Sequence, residues 1–299
     1  MSSYSIKDLE HLSGIKAHTL RIWEQRYNLV EPKRTDTNIR YYDDADLKLI
    51  LNVALLNNNG LKISKIAKMS HEEIRDKVIE LTEGTLAYED QVYALTVSMI
   101  EIDEEGFNRI LSINQRSMGF DETMLRVIYP FLAKIGLLWQ IGSITPAQEH
   151  FISNLIRQKL IVAIDQYVYQ GGGKKFLLFL PEGELHEISL LFAAYLIKRE
   201  GHKVIYLGQS TPQGDLEEVY KYHQPEYLIT VVTTSPELDS LQDYLVDLSK
   251  TFSKSQIIIS GYQVLRADLK LPGNIKVMEK IEEVKGFVEA IDDTNKEKV

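Results

Sequence analysis

Three groups of side chains carry residue types from which chemistry could be built. The first is His186, set in the stretch Pro181-Glu182-Gly183-Glu184-Leu185-His186-Glu187-Ile188-Ser189 directly after the apolar run Lys175–Leu180. A loop histidine is seldom needed for packing, and neutral imidazole is a common metal ligand. The second is Trp139 with Glu149 and His150, an indole, a carboxylate and an imidazole on the two sides of one short connection. Each also has an ordinary role open to it: Trp139 in a core, Glu149 against a helix dipole, His150 on a surface. The third is a cationic and aromatic set near the N-terminus: Arg21, Arg26 and Tyr27, then Lys33, Arg34, Arg40 and Tyr41. Side chains of this kind reach phosphates and base edges. The sequence contains no cysteine, so disulfides and thiolate metal sites are excluded and any metal takes nitrogen or oxygen ligands.

The elements that position these groups can be read from patterning. Ser5-Ile6-Lys7-Asp8 is a capping box, Leu9 and Leu12 follow at helical spacing, and Ser13-Gly14 breaks the helix. A second helix is expected from about Lys16 to Tyr27, with Leu20 and Trp23 on one face and Thr19, Arg21 and Arg26 largely on others. Two short helices joined by a glycine turn suggest a helix-turn-helix, here followed by a basic hairpin-like segment. Asp43-Asp44-Ala45-Asp46 opens another helix with acidic residues at its positive end. Residues 71–170 are helical in pattern and predict a bundle. One of its helices runs from about Asp121 to Gln140 and stops before Gly142, and Thr145-Pro146-Ala147-Gln148 caps the next. This connection turns Trp139 back towards Glu149 and His150.

From Lys175 the pattern alternates strand and helix, with strands at Lys175–Leu180, Lys203–Leu207, Tyr227–Val232, Gln256–Ser260 and Ile275–Met278 and helices from about His186 and Gln213. Such alternation predicts a parallel α/β sheet of Rossmann-like, flavodoxin type, whose ligands sit at the carboxyl ends of the strands. His186 falls there. The expected organisation is multidomain: an all-α winged helix-turn-helix head over residues 1–75, a helical bundle over 76–172 and the α/β domain over 173–299.

The 299 residues carry a net charge of −9 but distribute it unevenly. Residues 1–71 hold 11 Lys and Arg against 8 Asp and Glu, which leaves a mildly basic head on an acidic remainder. No basic leader with an apolar run and no stretch long enough to span a membrane is present, so a cytoplasmic protein without membrane partners is expected.

The run GIKAHTLRIWEQRYNLVEPKRTDTNIRYYDDADL resembles the DNA-binding head of the MerR family over about 70 residues. The resemblance implies that the helix from Thr19 to Arg26 enters the major groove of double-stranded promoter DNA and that the wing from Lys33 to Tyr42 holds the backbone. Arg21 and Arg26 become the leading candidates for phosphate or base contact, with Tyr41 either supporting the wing or touching DNA. Trp23 is more simply a core residue of the winged helix.

Trp139, nine intervening residues, Glu149 and His150 resemble the Trp-x9-Glu-His motif of the helical cap in cobalamin-binding regulators. Glu184-x-His186-x-x-Ser189 is similar to the Asp-x-His-x-x-Gly motif of cobalamin domains. What the resemblance implies is a cap over the upper face of the corrin, His186 as the lower cobalt ligand and Glu184 orienting the other ring nitrogen. It also implies that the hydroxyl of Thr234 or Ser235 faces the nucleotide tail. Two positions depart from the family: Ser189 stands for glycine, and Gly261-Tyr262 for a glycine pair, so Tyr262 either obstructs the tail or stacks on it.

The order of head, cap and α/β domain is that of the CarH/LitR-like photoreceptor regulators, which implies a repressor, not an enzyme, assembled as a dimer or tetramer under control of cobalamin, adenosylcobalamin first among its forms. In light-sensing members a histidine beside the cap tryptophan can take the cobalt; here that residue is Gln140. Two other readings stay open. One is a cofactor-free MerR-type regulator whose α/β domain serves assembly or partner binding. The other is the corrinoid carrier module of an enzyme, against which the DNA-binding head weighs.

Overall fold

The computed structural model describes residues 3–35, 37–83 and 88–296. The chain forms two compact units, Met1–Leu155 and Ile156–Val299, with the division inside helix α9 (Pro146–Asp165).

In the first unit, α1 (Ile6–Ser13) begins at the Ser5/Asp8 capping box, with both reciprocal bonds present, and ends at Gly14, whose φ of 72° is the left-handed value a Cβ disfavours. Helix α2 (Ala17–Tyr27) follows and ends on Asn28 at φ 50°. Leu9, Leu12, Leu20 and Trp23 are buried, so the two helices share one apolar seam. The wing is a two-stranded antiparallel hairpin, β1 (Lys33–Arg34) with β2 (Arg40–Tyr41), closed through Asn38 at φ 67°. Helix α3 (Asp44–Asn58) opens on a second capping box, Asp43 with Asp46, and is almost wholly buried from Leu47 to Leu56.

Helices α4 (Ile63–Ile66) and α5 (His71–Glu83) lead to α6 (Tyr88–Glu101), α7 (Glu104–Thr123) and α8 (Tyr129–Gln140). Gly119, at φ 81° and ψ 171°, breaks the helix within α7, and a π-helical segment, Met124–Ile128, joins α7 to α8. The helix predicted from about Asp121 therefore starts at this glycine break. Thr145 and Gln148 form the predicted capping box at the start of α9, with Gln148 N–H donating to Thr145 Oγ1 at 3.3 Å and Thr145 N–H to Gln148 Oε1 at 2.9 Å.

The second unit is a five-stranded parallel sheet: β3 (Lys175–Pro181), β4 (Lys203–Thr211), β5 (Tyr227–Val231), β6 (Gln256–Ser260) and β7 (Ile275–Val277) in the order β4-β3-β5-β6-β7. This is the flavodoxin-type order. Alternation along β3 turns Leu177 and Phe179 into a core with Leu216, Leu241, Leu245 and Leu248 from α11 (Gln213–His223) and α12 (Leu238–Thr251). Helices α10 (Ile188–Arg199) and α14 (Ile281–Lys296) pack together, and the short α13 (Tyr262–Arg266) follows β6. Helix α10 starts at Ile188, two residues later than predicted, which leaves His186 in the loop. Strand β4 runs to Thr211, beyond the predicted Leu207, through a register shift opposite Phe179.

Candidate functional site

The switch point of this sheet lies between β3 and β5, whose carboxyl ends point the same way while their onward connections diverge. The loops after those two strands meet at Glu184. Its side chain is 0% exposed and accepts from the backbone N–H of Leu185 (2.9 Å), His186 (3.0 Å), Thr233 (2.8 Å), Thr234 (2.6 Å) and Ser235 (3.2 Å). His186 Nδ1 lies 2.5 Å from Glu184 Oε1. Burial alone would raise the pKa of this carboxyl group; the His186 contact and the backbone donors outweigh it and hold the group ionised well below the ordinary carboxylate range. An ionised acceptor on Nδ1 makes Nδ1 the proton-bearing nitrogen and puts the ring's lone pair on Nε2. The His186 side chain is 57% exposed. One extra methylene relative to aspartate thus leaves the carboxylate fully able to reach the imidazole.

The loop is held from further sides that the sequence did not reveal. Ser210 N–H donates to the Glu184 carbonyl (3.1 Å), Gln209 Nε2 to the Leu185 carbonyl (2.6 Å) and Gly183 N–H to Ser210 Oγ (3.0 Å), all from the end of β4. Glu187, beside the histidine, accepts from Tyr206 Oη (3.0 Å) and pairs with Arg157 of α9 (2.6 Å).

Thr234 and Ser235 stand in the β5 loop as expected, and their polar atoms are spent on the histidine loop: Thr234 Oγ1 lies 3.3 Å from Glu184 Oε2, and Ser235 Oγ donates to the Glu182 carbonyl at 2.8 Å. Ser189 lies in the first turn of α10, half-buried. Gly261 has φ 115°, and a Cβ there would stand 2.3 Å from the Val232 carbonyl oxygen, so the position admits only glycine. Tyr262 is 52% exposed, its hydroxyl accepting from Arg266 Nη1 at 2.5 Å under a cation–π contact of 5.0 Å.

In the first unit Trp139 occupies the last turn of α8 and is 48% exposed, with Leu137 and Ile141 exposed beside it in the chain. The indole is therefore not a core residue of this unit. Glu149 and His150 lie in the first turns of α9, across the turn 141–145, with His150 Nε2 3.7 Å from Glu149 Oε2.

On α2, Arg21 and Arg26 are exposed, Arg26 extending over the Tyr27 ring at 5.7 Å, while Trp23 is 4% exposed and belongs to the core. Thr19 Oγ1 sits 3.3 Å from His18 Nε2. Arg40 is exposed in the wing and Tyr41 half-buried. Tyr42 is fully buried, its hydroxyl donating to Glu24, which locks wing to helix. Lys33 and Arg34 are partly engaged already: Lys33 pairs with Asp43 and, at 3.2 Å, with Asp46, and Arg34 Nη1 donates to Asn38 Oδ1 at 2.7 Å.

Residues 4–73 match the model of the MerR HTH family regulatory protein, and residues 93–163 match that of the B12 binding domain. The chain carries a MerR-family HTH head and a segment of the B12-binding-domain family. The second match covers the segment that carries Trp139, Glu149 and His150. The HTH-type transcriptional repressor CarH of Myxococcus xanthus is 26% identical over 275 residues, 89% of this chain and 90% of that protein. The repressor CarA of the same organism is 27% identical over 259 residues, 86% and 85% of the two chains. Among solved structures, the monomethylamine corrinoid protein of Methanosarcina barkeri superposes with a TM-score of 0.53 at 12% identity, covering 68% of this chain and all of that one, a likeness of fold. Among the described residues no helix is long and apolar enough to cross a membrane.

Proposed function

We propose that this MerR-family regulator is a cytoplasmic repressor that binds promoter DNA as a homo-oligomer, a dimer or tetramer, and that a cobalamin bound through His186 controls its hold on DNA. Three segments divide the work: residues 1–75 grip DNA, 76–172 cap the cofactor and 173–299 hold its lower face. The observation that carries this reading is the Glu184–His186 pair. A buried, ionised carboxylate holds the ring proton on Nδ1, so Nε2 is the nitrogen that would hold the cobalt of a bound cobalamin.

When bound, cobalamin would supply a cobalt centre, which His186 would hold and the helical cap would cover. The residues of the chain do the rest. Glu184 and the β5 loop orient His186, and Trp139 offers an exposed indole to a bulky upper group, for which adenosylcobalamin is the best-matched form. Glu149 and His150 line the same end of the helical cap. On α2, Arg21 and Arg26 meet base edges or phosphates with Thr19 and Tyr27 beside them, and Lys33, Arg34, Arg40 and Tyr41 of the wing follow the backbone.

The test mixes wild type and His186→Ala with adenosylcobalamin, removes free cofactor by gel filtration and compares visible spectra. Wild type is expected to elute with a histidine-ligated spectrum, and the variant to lose most of its cofactor. A wild type that elutes colourless overturns the cobalamin reading and leaves the cofactor-free regulator in its place. The same samples under illumination read whether light is the signal.

A further inference from the structure

Within the first unit, the DNA-binding helices are tied to the cap helix at two points by side chains that neither DNA contact nor cofactor contact accounts for. Lys134, in the middle of α8, donates from Nζ to the Leu12 carbonyl in the last turn of α1 at 3.1 Å. Its ammonium also lies 3.9 Å from the centroid of the Tyr93 ring of α6. Ser143, just beyond α8, donates from Oγ to Asp8 Oδ1 at 2.8 Å. Between these two residues in the chain stands Trp139. The turn after α1 closes the contact: a Cβ on Gly14 would come within 2.4 Å of Tyr93 Oη.

Lys134 is an expensive way to fill this position. Burial pushes its pKa down to about 8, and among the described residues no carboxylate pairs with it. An apolar side chain of similar length would pack there without that penalty. The ammonium gains its favourable contacts from a carbonyl at the negative end of the α1 dipole and from the face of one tyrosine, and both fix where the end of α1 must sit. A half-buried charge held by two directional contacts specifies position at the expense of stability and so acts as a register device.

We infer that Lys134 is a positioning residue that clamps the first helix of the DNA-binding head to α8, with Ser143–Asp8 as the second grip, so that a displacement of the helix bearing Trp139 carries the head with it. This inference rests on the cobalamin reading for its signal, but the clamp itself can be read without cofactor. The absence of native cysteine makes the measurement direct. Spin labels on Lys7→Cys of α1 and Glu105→Cys of α7, both exposed, report the spacing of head and bundle in the full-length chain.

With Lys134 present, one narrow distance distribution is expected; with Lys134→Met added, a broad one is expected, while the melting temperature stays equal or rises. Narrow distributions in both proteins, or a broad one in the presence of Lys134, overturn the clamp. The transmitting role is then read on a DNA fragment selected from a random pool with the full-length chain. Adenosylcobalamin should change the DNA affinity of wild type at least about fivefold and that of Lys134→Met less than about twofold. A wild-type change that Lys134→Met preserves sinks the lever alone. If wild type shows no change at all, the cobalamin reading fails and the lever goes with it.

Discussion

Glu184 gathers backbone donors from two loops onto one buried carboxylate and so holds the histidine loop in place. Two-residue spacing to His186 suggests a partner for the ring, but the backbone donors from Thr233 to Ser235 lie about fifty residues away and become visible only once β3 and β5 are neighbours. Glu184→Gln should therefore do more than detune the histidine. The amide places an N–H₂ among groups that are themselves donors, so a loss of about 1–3 kcal/mol in denaturant unfolding is expected. Removing such an outer partner typically weakens metal affinity about 10–100-fold, readable by spectral titration with cobalamin. Unchanged stability in Glu184→Gln would show that the donors find other acceptors. The pH dependence follows from the depressed pKa. The contribution of Glu184 is present above the ordinary carboxylate value of 4.5 and is lost as pH falls below it towards the folded value. Acid unfolding should accordingly be less steep below pH 4.5 in Glu184→Gln than in wild type.

The local signals that make elements were legible. The Ser5 capping box, the acidic start of the helix at Asp43, the Thr145 box of α9 and the alternation of the sheet all act within a few residues of themselves, whereas the Asp43–Asp46 capping box and the Gly119 break show only in the structure. What escaped was set by tertiary placement: the continuation of β4 through a register shift to Gln209 and Ser210, the Arg157–Glu187 pair, the engagement of Lys33 by the acidic start of α3, and Lys134. Helix α2 gives the sharpest test at this scale because its two faces differ in kind. Trp23→Ala should cost about 3–5 kcal/mol of stability by emptying a core position. Arg21→Ala and Arg26→Ala should leave the melting temperature within a degree or two and cost about 1–3 kcal/mol of DNA affinity where an arginine reads a base. DNA binding unchanged by both across a salt series would mean that α2 is not the recognition helix. On α8, Trp139→Ala is expected to fold normally, since half of the ring is already exposed, and to lose about tenfold (about 1.4 kcal/mol) in affinity for adenosylcobalamin and much less for methylcobalamin. Equal losses for both forms would make the tryptophan structural.

At the scale of the molecule, a basic head on an acidic remainder is joined to a histidine-bearing sheet, and a cofactor-controlled repressor needs one to respond to the other. Ligand control of DNA binding is a coupling free energy and is reciprocal: a cofactor that tightens DNA binding by some factor is itself bound more tightly on DNA by the same factor, commonly about 5–150-fold. The measurement that tests this most directly is the DNA affinity of the full-length chain at fixed salt, with and without saturating adenosylcobalamin, in wild type and His186→Ala. Adenosylcobalamin is expected to tighten wild-type binding at least about fivefold and to leave that of the His186→Ala protein unchanged. Equal affinity with and without cofactor in a wild type that demonstrably holds it, or an undiminished response in His186→Ala, would contradict control through His186.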